Sequence, residues 1–128
     1  MRVLVDTHVF VWWGAGDPRV SARTHSIVED SANTVYFSAV SGWELAIKFQ
    51  LGKIQLPEEP ARFVMDRVGR YGMVSLPVLM SHALLAGSLP LHHRDPFDRM
   101  LVAQAQSEGL PILSADPAFA AYDVEVIW

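Results

Sequence analysis

Arg2-Val3-Leu4-Val5-Asp6-Thr7-His8 decides the fold. A short β-branched run ends on a carboxylate, and the run is continuously apolar rather than alternating. That pattern belongs to a strand covered on both faces, as in the interior of a parallel sheet. Runs of the same character recur at residues 34–37, 111–113 and 124–127, with a further stub at 73–76. Helical patterns lie between them, at 21–30, 41–51, 60–71, 77–86 and 95–108. Pro60 opens one of these and Gly72 follows it, while Gly52 and Gly109 end two others, the usual asymmetry of helix boundaries. Strands alternating with helices predict an α/β protein. The expected architecture is a three-layer α/β/α domain around a mostly parallel sheet of four to five strands. No repeat, low-complexity tract or linker interrupts it, so residues 1–128 read as a single domain.

Composition narrows the function classes. With 51% hydrophobic and 19% charged residues, the chain is globular rather than disordered. It has no cysteine, which excludes disulfides and thiolate zinc sites and makes a reducing cytoplasm the expected setting. Asp6 interrupts the first apolar run too early for a signal peptide, and no run approaches the roughly 20 residues that span a bilayer. The net charge of −4 means that any nucleic acid would have to be received by a local basic rim or by bound cations.

The chain holds 14 acids, and most of them are ordinary surface charges. Four have better positions. Asp6 ends the first strand and Asp116 follows the third long run, at strand ends where open parallel sheets bind ligands. Glu44 stands early in the helix after the second strand, and Asp98 in the first turn of the helix opened by Asp95-Pro96-Phe97-Asp98. All four are expected at one sheet edge. Each also fits a helix cap: Asp6 toward Trp13, Ser41 with Glu44 as a capping box, Asp95 with Asp98 at N3, and Asp116 before Pro117. Four caps need not converge on one spot. Two carboxylates about 4 Å apart repel by roughly 4 kcal/mol at an effective dielectric near 20. Helix N-termini offset part of that, and a divalent cation far more. An all-oxygen donor set without cysteine suits Mg²⁺ or Mn²⁺ and argues against zinc.

Four segments together resemble the PIN-domain family, and more narrowly the VapC toxins of bacterial toxin–antitoxin pairs. They are Val5-Asp6-Thr7-His8, the stretch from Ser38 through Glu44 to Lys48, the stretch from His93 through Asp95-Pro96-Phe97-Asp98-Arg99 to Ala105, and Ile112-Leu113-Ser114-Ala115-Asp116. The resemblance spans essentially the whole chain. It implies a metal-dependent endoribonuclease that hydrolyses RNA with one or two Mg²⁺ or Mn²⁺ ions. Asp6, Glu44 and Asp98 match the family's metal-binding acids, and Asp116 matches its fourth acid. Thr7 and Ser114 fall where hydroxyls support the cluster, and Asp95 is either a helix cap or an outer member. A homodimer and a VapB-type antitoxin are the implied protein partners. The competing function is a PIN-like module that binds RNA or a partner without cutting.

Arg94 and Arg99 flank the Asp95–Asp98 segment and are the candidates for phosphate contacts. Lys48, four residues after Glu44, reads as a helix pair worth a few tenths of a kcal/mol. His92 and His93 read as loop or packing residues. Trp43, Leu45, Ile47, Phe49 and Leu51 make their helix apolar almost all round. Such a helix is either buried on more than one side or offers a dimer or antitoxin face. A phosphatase with an Asp-x-Asp nucleophile is excluded, because position 8 is His. A receiver domain is disfavoured, lacking an acidic pair before the functional strand and a strand-end lysine late in the chain, and incubation with acetyl phosphate would decide it.

Overall fold

A computed structural model describes residues 1–128. Five parallel strands, β1 (Arg2–Val5), β2 (Thr34–Ser38), β3 (Val74–Leu76), β4 (Ile112–Leu113) and β5 (Val126–Ile127), lie in the order β3-β2-β1-β4-β5. The helices are α1 (Thr7–Gly14), α2 (Ala22–Glu29), α3 (Ala39–Gln50), α4 (Pro60–Arg70), α5 (Met80–Ser88) and α6 (Pro96–Glu108). A 3-10 turn at Pro117–Ala121 follows β4. The chain builds outward from β1 through β2 to β3, then returns across the sheet to place β4 on the other side of β1. Sheet order therefore reverses between β1 and β4, where Leu4 pairs with Ile112 and Val5 with Leu113.

Side chains of one strand point alternately to opposite faces, so the sheet carries two cores. Val3, Val5, Val35, Phe37, Leu113 and Ile127 join residues of α1, α2 and α4 in one of them. Leu4 and Ile112 join α5 and α6 in the other. This is the three-layer arrangement expected for strands without polar alternation. At the centre of the first core, Phe10 packs tilted against Phe37 at 4.2 Å and meets Phe63 edge-on at 5.7 Å.

Helix starts depart from expectation in one informative place. α3 begins at Ala39, because Ser38 caps it by accepting from the Val40 amide at 3.1 Å. The Ser41–Glu44 capping box is therefore absent; both side chains are buried a turn inside the helix. The same Ser38 hydroxyl donates to Gln104 Oε1 at 2.6 Å, and Gln104 Nε2 donates to the Pro77 carbonyl at 3.2 Å. That buried relay ties the end of β2 to α6 and to the segment before α5. α3 is not buried on several sides either. Val40, Ser41, Glu44 and Leu45 form its buried stripe, while Trp43 is 62% and Leu51 61% exposed.

Phe10 has no exposed surface and fills the junction of α1, β2 and α4. Phe10→Ala is expected to cost about 3–5 kcal/mol in equilibrium denaturation, because the aromatic pair contacts vanish and a cavity remains. An unchanged midpoint would show that the first core is not arranged around this ring.

Candidate functional site

The site grows from the reversal point of the sheet. Asp6 leaves β1 at the N-terminus of α1, yet its side chain makes no capping hydrogen bond. It turns instead to Ser114 beyond β4, whose hydroxyl donates to Asp6 Oδ2 at 2.8 Å. Ser114 Oγ also accepts from the Asp116 amide at 3.0 Å, so one hydroxyl fixes both acids. Asp6 Oδ1 is buried without a partner. Burial is the largest influence on this carboxyl and raises its pKa, with Glu44 adding to the effect and Ser114 and His8 opposing it.

Glu44 comes in from α3, fully buried. Its Oε2 accepts from Lys48 Nζ and its Oε1 has no partner. The contact with Lys48 follows the helix spacing anticipated from sequence, but it is no surface pair, since the glutamate side chain is only 1% exposed. Burial disfavours the Lys48 ammonium, but Glu44 outweighs that, and Asp95 and Asp98 add to it, so its pKa is raised. Thr7 donates to Ser41 Oγ at 2.7 Å. Its side chain therefore ties α1 to α3, while its backbone amide is a minor influence lowering the pKa of Asp6.

Asp98 and Asp116 complete the acidic group. Asp95 caps α6, its Oδ1 accepting from the Phe97 amide at 2.8 Å and the Asp98 amide at 3.3 Å. Asp116 caps the 3-10 turn through the Ala118 amide at 2.9 Å. The capping reading is thus correct for Asp95 and Asp116, and incorrect for Asp6. Asp98 is buried, and burial followed by the charges of Asp95, Asp6 and Glu44 pushes its pKa up to about 7. His93 partly opposes this. Its Nε2 lies 2.8 Å from Asp98 Oδ2 in a charge contact lacking hydrogen-bond alignment. One ligand atom each from His93, Asp98 and Asp116 falls within 4.8 Å of the others.

His93 is expected to be a loop or packing residue; it does lie in a loop, but one that brings its ring to Asp98. The Asp95 amide points to its Nδ1 at 3.4 Å, which leaves Nε2 directed at Asp98. Its adjacency to a helix cap was the available signal. His8 is the second omission: exposed next to Thr7, it lowers the pKa of Asp6 by its charge.

Arg99 is also corrected. It is buried, and Nη1 and Nη2 donate to the carbonyls of Pro90, His93, Ala86 and Leu89 at 2.8–3.4 Å. A buried guanidinium with four of its five N–H donors on backbone carbonyls is turned away from the surface where a phosphate would arrive. It instead pins the loop that carries His93, together with Tyr122, whose hydroxyl accepts from the His93 amide at 2.9 Å. Arg94 stays exposed without an ion pair.

The donor set fits a divalent cation, although the His93 nitrogen beside Asp98 and Asp116 departs from the all-oxygen set expected. Two buried carboxylate oxygens with no hydrogen-bond partner are costly unless something positive completes them. Without metal, Asp98 binds its proton more tightly folded than unfolded, since about 7 exceeds the ordinary 3.8. The stabilisation it gives is full at acid pH and is lost as pH rises through about 7. The metal-free chain is therefore expected to melt higher at pH 5 than at pH 8, and Asp98→Asn to lessen that difference. Thermal melts in EDTA check this; an equal or higher melting temperature at pH 8 would contradict the buried-carboxylate account.

Comparison with known proteins bears on the same region. The PIN domain family model matches residues 3–125. Ribonuclease VapC16 of Mycobacterium tuberculosis is 42% identical over 69 residues, a match covering 51% of this chain and 49% of the relative. The chain thus aligns with about half the length of that protein. Ribonuclease VapC22 of the same organism is 28% identical over 116 residues, covering 89% of this chain and 86% of the relative. In three dimensions the chain is similar to a chain of the VapBC2 crystal structure from Rickettsia felis, bound to a promoter DNA fragment. The TM-score is 0.73 at 13% identity, covering 99% of this chain and 98% of that one. At that identity the likeness speaks for the fold alone. The family model spans nearly every element that shapes the acidic edge, and this chain belongs to the PIN-domain family.

Proposed function

We propose that this protein is a metal-dependent endoribonuclease, the toxin of a VapBC-type pair, and that Asp6, Glu44, Asp98 and Asp116 hold one or two Mg²⁺ or Mn²⁺ ions. The observation that carries the reading is the pair of unpartnered, buried carboxylate oxygens, Asp6 Oδ1 and Glu44 Oε1, at the reversal point of a parallel sheet. The ribonuclease names of two relatives and the family match support the same chemistry. A divalent ion there supplies charge neutralisation for a phosphodiester and lowers the pKa of water.

The chain's own residues do the rest. Ser114 orients Asp6 and the Asp116 backbone together, so the two acids at the β1–β4 crevice share one anchor. Lys48 neutralises one edge of Glu44 and leaves Oε1 for a ligand. His93, on a loop pinned by Arg99 and Tyr122, supplies an additional nitrogen next to Asp98 and Asp116. Arg94, exposed beside it, is the phosphate contact on that side of the site. Thr7 and Asp95 support the walls through Ser41 and the α6 amides.

An antitoxin of VapB type and a homodimer belong to the same proposal. The VapBC2 complex from Rickettsia felis gives the precedent for such a partner. Trp43, Leu79, Met80, Leu84 and Leu91 are large apolar side chains left exposed, and a second copy of the chain is the occupant proposed for them. No helix is long and apolar enough to cross a membrane. A cytoplasmic setting is part of this reading.

Purified chain with Mn²⁺ is expected to cleave mixed RNA. EDTA, Asp6→Asn and Asp98→Asn should each abolish cleavage while circular dichroism stays native. Equal cutting by wild type and variants would assign the activity to a contaminant. No metal uptake in calorimetry and no cutting would favour a binding module. Light scattering after size exclusion should give twice the chain mass, and Leu84→Glu should shift it toward one chain; a monomer at high concentration would remove the dimer.

A further inference from the structure

The largest cavity lies beside the acidic group and has the opposite charge. About 580 Å³ in volume, it is bounded by His8, Trp12, Asp17, Arg19, Lys48 and Lys53 among others. His8 and Trp12 also line a smaller cavity of about 290 Å³ that reaches Asp6 and Asp116. The two spaces thus share a wall made of His8 and Trp12.

The chain has only two lysines, Lys48 and Lys53, and both line this cleft. Asp17 is its one acid, and Arg19 already occupies that carboxylate through Nε and Nη2 at 2.8–3.2 Å. The Arg19 guanidinium also lies 4.5 Å from the centroid of the Trp12 ring. Held by carboxylate and indole at once, it is pre-organised, and its Nη1 has no protein acceptor. Lys53 is exposed, with no ion pair. On a chain of net charge −4, this concentration of cations next to the acids is a local reversal of sign.

We infer that this cleft binds the single-stranded RNA backbone adjacent to the scissile phosphate, with Lys53 and Arg19 as phosphate contacts and Trp12 as an aromatic wall. The inference rests on the ribonuclease reading above. Cations combined with an aromatic surface are the usual equipment for single strands, because phosphates and base faces recur along any sequence. RNA is favoured over an acidic peptide because the cleft shares its wall with the acidic group, where a phosphodiester has to arrive. Lys48 lines the larger cleft and also donates to Glu44, so it joins that cleft to the acidic group.

The test uses Lys53→Gln, Lys53→Glu, Lys53→Arg and Arg19→Gln in the full chain. On a mixed oligoribonucleotide pool with Mn²⁺, Lys53→Gln should raise KM roughly fivefold with kcat within about twofold, and Lys53→Arg should restore KM. Anisotropy of a labelled oligoribonucleotide in EDTA gives a reading independent of cleavage. There, loss of one phosphate contact should reduce the slope of log K against log salt by about 0.7. KM and slope unchanged in Lys53→Glu and Arg19→Gln, with wild type cutting normally, would overturn the inference. So would Lys53→Glu shedding a co-purified protein partner while RNA constants stay fixed. If wild type fails to cut, the ribonuclease reading falls by itself, and the salt slope still decides whether the cleft holds RNA.

Discussion

Repulsion among buried carboxylates is the constraint on which this structure turns. Asp6 comes from the end of β1, Glu44 from α3 and Asp98 from α6, each buried, and the charges of Asp6 and Glu44 add to the cost at Asp98. The compensation within the chain is incomplete: one ammonium at Glu44, one hydroxyl at Asp6, and an imidazole at Asp98. Two carboxylate oxygens remain without a partner. Such a group disfavours the folded chain, and the remainder of the fold has to hold it together. The two cores on either face of the sheet do so by fixing the strand that ends on Asp6 between β2 and β4.

Positioning is correspondingly strict. Ser114 and Asp6 are 108 positions apart in sequence, and their contact exists only because β4 returns to the side of β1. The Ser38–Gln104–Pro77 relay performs the equivalent task on the α3 and α6 side. Arg99 closes a third fixture, around the loop bearing His93. Each is a polar contact at a buried side chain, though Asp6 keeps one oxygen unpartnered. Such contacts favour one arrangement over near alternatives more than they add stability. The acids are placed by polar contacts, while the apolar cores supply the folding free energy.

Much of this was legible from residue order alone. Continuous apolar runs separated by helical spacing gave the parallel three-layer plan, because burial on both faces leaves no alternation to read. The four acids were visible as strand-end and helix-start residues. What the sequence hid was orientation. A capping residue and a site residue look alike there, since both are short acids before a helix. Asp95 and Asp116 do cap, whereas Asp6 does not, and only the return of β4 decides between them. Arg99 misled for the opposite reason: its neighbours in sequence are acids, but its side chain turns inward to four carbonyls. His93 is harder to read, because its one signal, a place two residues before a helix cap, marks an ordinary loop residue equally well.

Charge separation connects the site to its substrate class. A polyanion would be repelled from a cluster of carboxylates unless cations neutralise them, and the chain as a whole carries net negative charge. The molecule divides the problem. Acids gather inside the crevice at the sheet edge, where a divalent ion can offset them, and both lysines stand on the neighbouring wall. Lys48 belongs to both halves, bound to Glu44 on one side and lining the open cleft on the other. Its placement four residues beyond Glu44 on α3 lets one helical turn set the boundary between the buried acids and the basic cleft. Shifting either residue by one position would rotate it by roughly 100° around the helix and break that boundary.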